Sequence, residues 1–517
     1  MSESSSDFPA DAAAGVPADA APDSPAPLTE SSDALETSRL ETDSLEPSRL
    51  ETSPPEISRL EDPAAADAAL SPEPARPRSL KDRVFRGSAW TLIGYATSQI
   101  IRLGSNLIVS RLLFPEAFGL MTLVYTFLSG LEMLSDLGIG PNIIQSQRGN
   151  DPKFLNTAWV LAIARSVVLW IAACLIAYPV SQFYQQPLLL YLLPVAALGT
   201  VLNGCVSTKW QVANRNLQLA KLTILDITTQ TVSVIAMVVA ALIANITKAP
   251  QEIAIWALVI GALAGTLVRV ILSHTYLEGI NNRFEWDPSS FEELKSFGQW
   301  IFISTLFGFF AVQGNNLLIP HFLGVGFLGI FSFANNLAQL ASSITGIVNA
   351  RVLYPSYAEL VRERPERLYP VLKRARLVLN GLNWAICLFF IIFGKALIGI
   401  MYDDRYADAG WILQLLALGA LVTLLGNTYS QVLLAQGQTF ILSLLVGIQV
   451  LVQFACVIGG YLLGGAYGAI VGIAATGWAM YPFQAVVYAR LKLWQPDVDL
   501  PAIALATAIA AVVLWLH

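Results

Sequence analysis

From residue 80 onward the chain alternates long apolar runs with short polar connections. Each run approaches the roughly 20 residues that a helix needs to cross the hydrocarbon core of a bilayer. Twelve such runs fall between residues 88 and 489, and a last one over 500–516 is short for a span and stands as a candidate thirteenth helix. The pattern predicts an all-α polytopic membrane protein. Residues 1–78 follow no such pattern. They are rich in Ala, Pro, Ser, Asp and Glu with a single aromatic, Phe8, too little apolar surface to offset chain entropy, so a disordered cytoplasmic tail is expected there. Within it SRLE recurs every ten residues, at Ser38, Ser48 and Ser58, as a low-complexity spacer or a docking element. The tail lacks the basic start and apolar core of a signal peptide.

Composition agrees with the membrane reading: 55% of the 517 residues are hydrophobic, 13% are charged, and the mean hydropathy is +0.57. The net charge of −6 divides unevenly. Residues 1–75 carry 17 acids against Arg39, Arg49 and Arg59, which leaves 28 basic and 20 acidic residues, a net +8, for the remainder. Most of that excess falls in alternate connections: Arg76 to Arg86, Arg148 and Lys153, Lys209 and Arg215, Arg283 and Lys295, Arg351 to Arg374, and Arg490 with Lys492. The other connections hold little beyond Arg111, Lys248 and Arg405. By the positive-inside rule the N-terminus is cytoplasmic. This placement also argues against nucleic acid as a partner, since the positive charge is not gathered on one solvated face. The four cysteines lie inside apolar runs and read as packing residues. No GxxxxGK[ST] loop occurs, and His274 and His321 stand near span ends without a ligand pattern, so neither cofactor nor metal is expected.

A shift of 210 residues aligns SLKDRVFRGSAW (Ser79 to Trp90) with SSFEELKSFGQW (Ser289 to Trp300). The register continues through Asn106 and Asn316, Leu113 and Leu323, and Gly119 and Gly329. Each half opens with a short amphipathic stretch whose Ser-x-x-acid start (Ser79 with Asp82, Ser289 with Glu292) resembles a helix cap. The expected organisation is a tail (1–78), a six-helix bundle (79–273), a cytoplasmic linker with an amphipathic helix (274–295), a second six-helix bundle (296–490) and a C-terminal segment (491–517). Because six is even, both halves enter the membrane in the same sense, a parallel repeat of the kind that supports alternating access.

Four spans carry polar stripes at helical spacing: Thr91, Tyr95, Ser98, Arg102 and Asn106 in the first, and Thr122, Thr126, Ser129, Glu132 and Asp136 in the second. Thr305, Gly308 and Asn316 mark the seventh, and Ser332, Asn336, Gln339, Ser342 and Gly346 the eighth. Stripes in matching register point to a hydrated cavity between the bundles. Arg102 and, in the third span, Arg165 lie about 21 Å and about 15 Å along their helices, too deep for easy snorkelling. A guanidinium matches a phosphate through two parallel hydrogen bonds and keeps its charge. Arg102, Arg165, Asn106, Asn316 and Gln339 are therefore the candidate substrate-binding residues; structural pairing of Arg102 with Glu132 or Asp136 is the competing reading. Glu132, Asp136 and Asp226 are candidates for proton or sodium coupling, with interfacial capping or charge pairing as the alternative. Asp136 opens DLGIG, which also reads as a helix end. Arg269 and Lys395 read as snorkelling anchors. The basic segment Arg362 to Arg376 reads as a topology determinant, or as a platform that gathers anionic lipid.

Leu107 to Gln145, with its RLL-PE-FG core (Arg111 to Gly119) and DLGIG (Asp136 to Gly140), resembles the opening of the polysaccharide biosynthesis flippases. These are the O-antigen and exopolysaccharide members of the multidrug/oligosaccharidyl-lipid/polysaccharide exporter superfamily. Asn315 to Ala334 and LYPSYAEL (Leu353 to Leu360) resemble the second-half counterparts, and the likeness spans about residues 80–495. At Asn315 the family often has an aspartate. The resemblance implies transfer of an undecaprenyl-diphosphate-linked oligosaccharide across a bacterial inner membrane for lipopolysaccharide or exopolysaccharide synthesis, without covalent chemistry. Membrane lipids and a polysaccharide polymerase or export machinery are the implied partners. A drug exporter or peptidoglycan-precursor flippase of the same superfamily is the runner-up. A membrane glycosyltransferase or polymerase is the competitor from another class, and the short outer loops, where only Asp403, Asp404 and Asp408 cluster, argue against it.

Overall fold

The structure is a computed structural model that describes residues 80–136, 138–298, 302–349 and 353–516. The expected tail with its SRLE repeats, and Arg351, lie outside the described residues. The first half comprises α1 (Leu80–Leu112), α2 (Pro115–Leu134), α3 (Pro152–Phe183), α4 (Leu189–Gly204), α5 (Leu219–Ile246) and α6 (Trp256–Thr275). The second comprises α7 (Phe302–Leu323), α8 (Val325–Val348), α9 (Leu368–Met401), α10 (Ala409–Ala435) and α11 (Thr439–Arg490), followed by α12 (Pro496–Leu516). The helix α11 doubles back at Gly464 and Gly465, whose backbone leaves helical geometry, and so counts as two passes. Among the described residues, eight helices are long and apolar enough to cross a membrane, or nine if α4 is counted with the short helix Lys209–Arg215, bent 60° from it. α12 is among the eight, which gives residues 500–516 their place in a helix. The protein is a multi-pass membrane protein. α1 and α8, which carry polar stripes, are not in that apolar set.

Within each half the helices pack as neighbours: α1 and α6 on α5, α3 on α4, and α9 and α11 on α10. α10 is the most enclosed of the apolar spans, with Leu413, Leu421, Leu425 and Val432 fully buried. The halves meet chiefly through α2 and α8. There a Cβ added at Gly119 would lie 1.9 Å from the Val325 carbonyl oxygen, and one at Gly329 would lie 1.9 Å from that of Pro115. Only glycine admits so close a crossing. Pro115 and Val325 are themselves 210 residues apart, so the repeat meets itself there about a local two-fold axis.

The connection between the halves is strapped to the first one. Asn282 accepts from Ser207 Oγ (2.6 Å) and donates to Thr208 Oγ1 (2.7 Å), Glu285 accepts from Asn156 (2.9 Å), and the Asp287 amide donates to Thr157 (3.0 Å). Lys209, expected as a topology determinant, is buried and donates to the His274 carbonyl and to Asn281 Oδ1, both at 2.9 Å. The amphipathic helix forms over Pro288–Gly298, but its cap differs from the expected one. Asp287, rather than Ser289 with Glu292, accepts from the Ser290 amide (3.0 Å) and from the Ser289 and Ser290 hydroxyls. These donors, with Arg148 at 3.4 Å, hold the Asp287 carboxyl well below the usual carboxylate range. At the start of the first half the corresponding stretch is continuous with α1 from Leu80.

Candidate substrate cavity

The polar stripe of α1 does not face the second half. It faces α5 and α6, where Thr91, Tyr95, Ser98 and Arg102 form one wall of a 520 Å³ cavity completed by Asp226, Gln230, Thr266 and Arg269. The reason is local pairing. Ser98 Oγ donates to Gln230 Oε1 at 2.6 Å and Gln230 Nε2 donates to the Ser98 carbonyl at 3.0 Å, so the polar face of α1 satisfies that of α5. Gly265 on α6 keeps the floor narrow, since a Cβ there would stand 2.7 Å from Ser233 Cβ.

Arg102 has no carboxylate within ion-pair distance among the described residues, so the expected alternative of pairing with Glu132 or Asp136 is not met. Asp226 is instead paired with Arg269 at 2.9 Å. Arg269 lies 4.4 Å over the Trp210 ring and lines the cavity, a correction to the snorkelling role expected from its position near the end of a span. A stacked, paired guanidinium on an inward face has nothing to gain by reaching for the interface.

Arg165, Glu132 and Asp136 border an adjoining 430 Å³ chamber that shares Arg269 with the first. Here Arg165 is largely occupied by the fold. Its Nε donates to the Ser135 carbonyl (2.8 Å) and its Nη2 to that of Glu132 (2.7 Å). A cation thus caps the C-terminal end of α2, where the helix dipole favours it. Asp136 Oδ1 accepts from the Gly138 amide at 2.9 Å, and Gly138 takes the left-handed conformation (φ +63°). DLGIG does end the helix, and Asp136 stabilises the turn. Glu132 accepts from Thr200 Oγ1 at 3.1 Å.

A third chamber, 310 Å³, adds Tyr125, Ser129, Asn203 and, from the second half, Gln313. Gln313 donates to Ser129 Oγ at 3.0 Å and accepts from Asn316 at 2.7 Å, so Asn316 reaches the cavity through its neighbour. Asn315, at the position of the family's frequent aspartate, accepts from Gln453 at 2.9 Å. Asn106 and Gln339 line none of these chambers, and Gln339 is exposed. The polar walls therefore lie almost wholly within the first half, whereas the stripes predicted a cavity between halves. Gln230, Asn203 and Gln313 carry no signal in the sequence because single amides are common in membrane helices, and Arg269 reads there only as a span-end anchor.

The end away from the basic connections is closed. Arg405 Nη2 donates to the carbonyls of Ser110 (3.2 Å) and Arg111 (3.3 Å) and its guanidinium stacks 4.7 Å from Phe114. The Tyr406 hydroxyl donates to the Leu113 carbonyl at 3.0 Å. Phe118, Phe333, Tyr402 and Tyr406 form an edge-to-face cluster beneath.

The sequence profile of the family described as "Polysaccharide biosynthesis protein" matches residues 108–410. The chain belongs to this family. The chain is similar to the Escherichia coli lipopolysaccharide biosynthesis protein WzxC: the two are 22% identical, over 70% of this chain and 71% of WzxC. The succinoglycan biosynthesis transport protein ExoT of Rhizobium meliloti is also 22% identical, over 69% of this chain and 70% of ExoT. Among solved structures, the fold matches an inward-facing multidrug resistance MATE family transporter of the MOP superfamily, with TM-score 0.60 and 14% identity over 80% of this chain and 96% of the other. It also matches the lipid II flippase MurJ, with TM-score 0.56 and 13% identity over 81% and 92%. Family membership and the shared fold account for the polytopic architecture. They leave the second half's most buried charges unexplained, and sequence reasoning missed them.

Arg376, expected as the last residue of a basic surface segment, is fully buried. It donates to Asp499 Oδ1 (2.5 Å), Tyr429 Oη (2.5 Å), Thr428 Oγ1 (2.8 Å) and Gln495 Oε1 (3.1 Å). Asp499 Oδ2 in turn accepts from the hydroxyls of Tyr429 and Tyr481, both at 2.7 Å. This network joins α9, α10 and α11 to the first turn of α12. The RLYPVLKRAR spacing held a usable signal: Leu368, Leu372, Arg376 and Leu379 share a helical face.

Proposed function

We propose that the protein flips a polyprenyl-diphosphate-linked oligosaccharide from the cytoplasmic to the outer leaflet of a bacterial inner membrane, in the synthesis of a surface polysaccharide. The observation that carries the reading is the polar cavity of the first half, in which Arg102 faces open space without a carboxylate partner while the far end of the molecule is closed. The positive-inside rule assigns the basic connections, and with them the N-terminus, to the cytoplasm. The closed end is then the outer one. Arg102 would hold the diphosphate, the amide and hydroxyl groups around it would meet the sugar, and the polyprenyl tail would stay in lipid. Because the bundles are a parallel repeat, alternating access about their common axis completes the step. No bond is made or broken, so the protein acts as a transporter rather than an enzyme.

Asp226, paired with Arg269 on the cavity wall, is the acid best placed to couple proton or sodium movement to this cycle, since a substrate phosphate arriving at Arg269 would release it. Membrane lipids and a polymerase or export assembly would be its partners. The test is transport in proteoliposomes loaded with fluorescent lipid-linked oligosaccharide. The wild type should move the label to the quencher-accessible leaflet with its mass unchanged. No movement, or a product of altered mass, would refute the proposal.

A further inference from the structure

A second cavity, 480 Å³, lies at the closed end of the first half and has no part in the mechanism above. Its size falls within the range of about 300–1,000 Å³ usual for small-molecule sites. All three connections at that end of the half contribute to it: α1 to α2 through Leu113 and Phe114, α3 to α4 through Gln186, and α5 to α6 through Asn245, Lys248, Gln251 and Glu252. The floor is apolar, with Leu113, Leu120 and Ile255 buried, whereas Phe114 is 40% exposed at the rim.

The chemistry of this groove differs from that of the inner cavity. No arginine lines it. Gln186, Asn245, Lys248, Gln251 and Glu252 converge on it, and none of their side chains is hydrogen-bonded to another group among the described residues. Three amides (Gln186, Asn245 and Gln251), two carboxylates (Glu116 and Glu252) and one ammonium around an apolar floor suit a ligand dense in hydroxyl groups. They do not suit a diphosphate, which needs concentrated positive charge.

The backbone holds these groups in place. Helix α5 ends with the Lys248 amide on the Asn245 carbonyl (3.1 Å) and the Ala249 amide on that of Ala244 (2.9 Å). α3 ends the same way through Gln185 on Gln182 (3.2 Å) and Gln186 on Ser181 (2.9 Å). In both, the left-handed position is filled by a side-chain-bearing residue, Lys248 (φ +50°) and Gln185 (φ +54°), where glycine would be easier.

We propose that this groove is a saccharide site on the outer face, which receives the oligosaccharide of the translocated molecule as the diphosphate leaves the inner cavity. The inference rests on the transport reading for its direction, and its chemistry can be tested apart from it. Phe114 joins the two, since its ring borders the groove and stacks on Arg405 of the clasp. A sugar seated there bears on the same loop that holds the outer end shut.

The experiment uses the full-length protein in nanodiscs, titrated with lipid-free oligosaccharide released by mild acid from the host strain's own lipid-linked intermediate, with Trp256 at the start of α6 as a fluorescence reporter. Saturable binding is expected, weakened at least tenfold by Asn245→Ala with Glu252→Gln and blocked by the space-filling Ala249→Trp. Absence of saturable binding to the wild type, or binding that the groove variants leave intact, overturns the saccharide site. If wild-type protein in proteoliposomes still moves the lipid-linked substrate in that case, the transport reading stands and only the groove falls. Binding with no transport would sink the transport reading and leave the groove.

Discussion

Two aspartate–arginine pairs set the halves of this molecule apart. In the first half Asp226 and Arg269 lie on a cavity wall with side chains 52% and 37% exposed; in the second, Asp499 and Arg376 are 0% and 1% exposed. The chemistry is the same and the consequences are opposite. An exposed pair contributes little to stability and exchanges partners readily. A buried one has lost its water, and survives only because every remaining donor and acceptor is answered by the surroundings. The first half therefore leaves its pair open to the cavity, while the second uses charge to fasten its last helix.

The comparison breaks most severely at Asp499. Replacing it with leucine leaves the Arg376 charge buried and unpaired, and should cost about 3–5 kcal/mol. Thermal unfolding of the detergent-solubilised protein, followed by size-exclusion, should show much less folded material. Adding Arg376→Met should recover most of the loss; failure of the double variant to exceed the single one would refute the description of the pair as an anchor.

Arg102→Ala comes next, with its effect on transport rather than on folding. Protein level should be normal, flipping should fall at least about tenfold, the factor that about 1.4 kcal/mol of lost binding represents, and lipid-linked intermediate should accumulate. Intact transport at normal protein level would remove Arg102 from the site. A smaller change is expected from Asp226→Asn. As one member of an exposed pair it should shift stability by no more than about 1 kcal/mol, while altering the dependence of transport on the pH or sodium gradient. A loss of stability as large as that at Asp499 would erase the distinction between the halves.

The smallest effect belongs to the strap between them. The Asp287 carboxyl lies below its ordinary value because the Ser289 and Ser290 hydroxyls and Arg148 favour its charged form. Its contribution is therefore complete above the unfolded value of about 3.9 and is lost as pH falls through the lower folded value. Protease cleavage between residues 277 and 290 in membranes should be constant from neutral pH to about 5 and should rise only in strong acid. Cleavage that increases between pH 7 and 5 would assign the strap to other groups.

Much of the fold was legible because a bilayer allows few alternatives. Apolar runs, their spacing and the alternation of Arg and Lys prescribe helices and connections almost without reference to tertiary contacts. The repeat could likewise be read from Gly119 and Gly329 in register. The site was legible in part. Arg102 stood out because a cation that deep needs a reason, whereas the direction of its helix face did not follow from periodicity, which gives a polar side but not the neighbour it meets. Ser98 found Gln230 on α5, and the cavity formed within one half. Arg376 was misjudged for the opposite reason: it sits among Lys373 and Arg374, and its partner Asp499 is 123 positions away. Charge density in a segment conceals the one member that turns inward.

The glycine crossing of α2 and α8 carries a historical implication. When equivalent positions of two repeats touch each other across an axis, the contact has the form of an isologous interface between identical subunits. A single-half ancestor would have met its twin here, with one glycine in the gene counted twice in the assembly. A fused chain is free of that restriction. Pro115 and Val325 occupy equivalent places in the crossing and differ, and the arginine cavity of one half and the buried ion pair of the other could then arise without either burdening its counterpart.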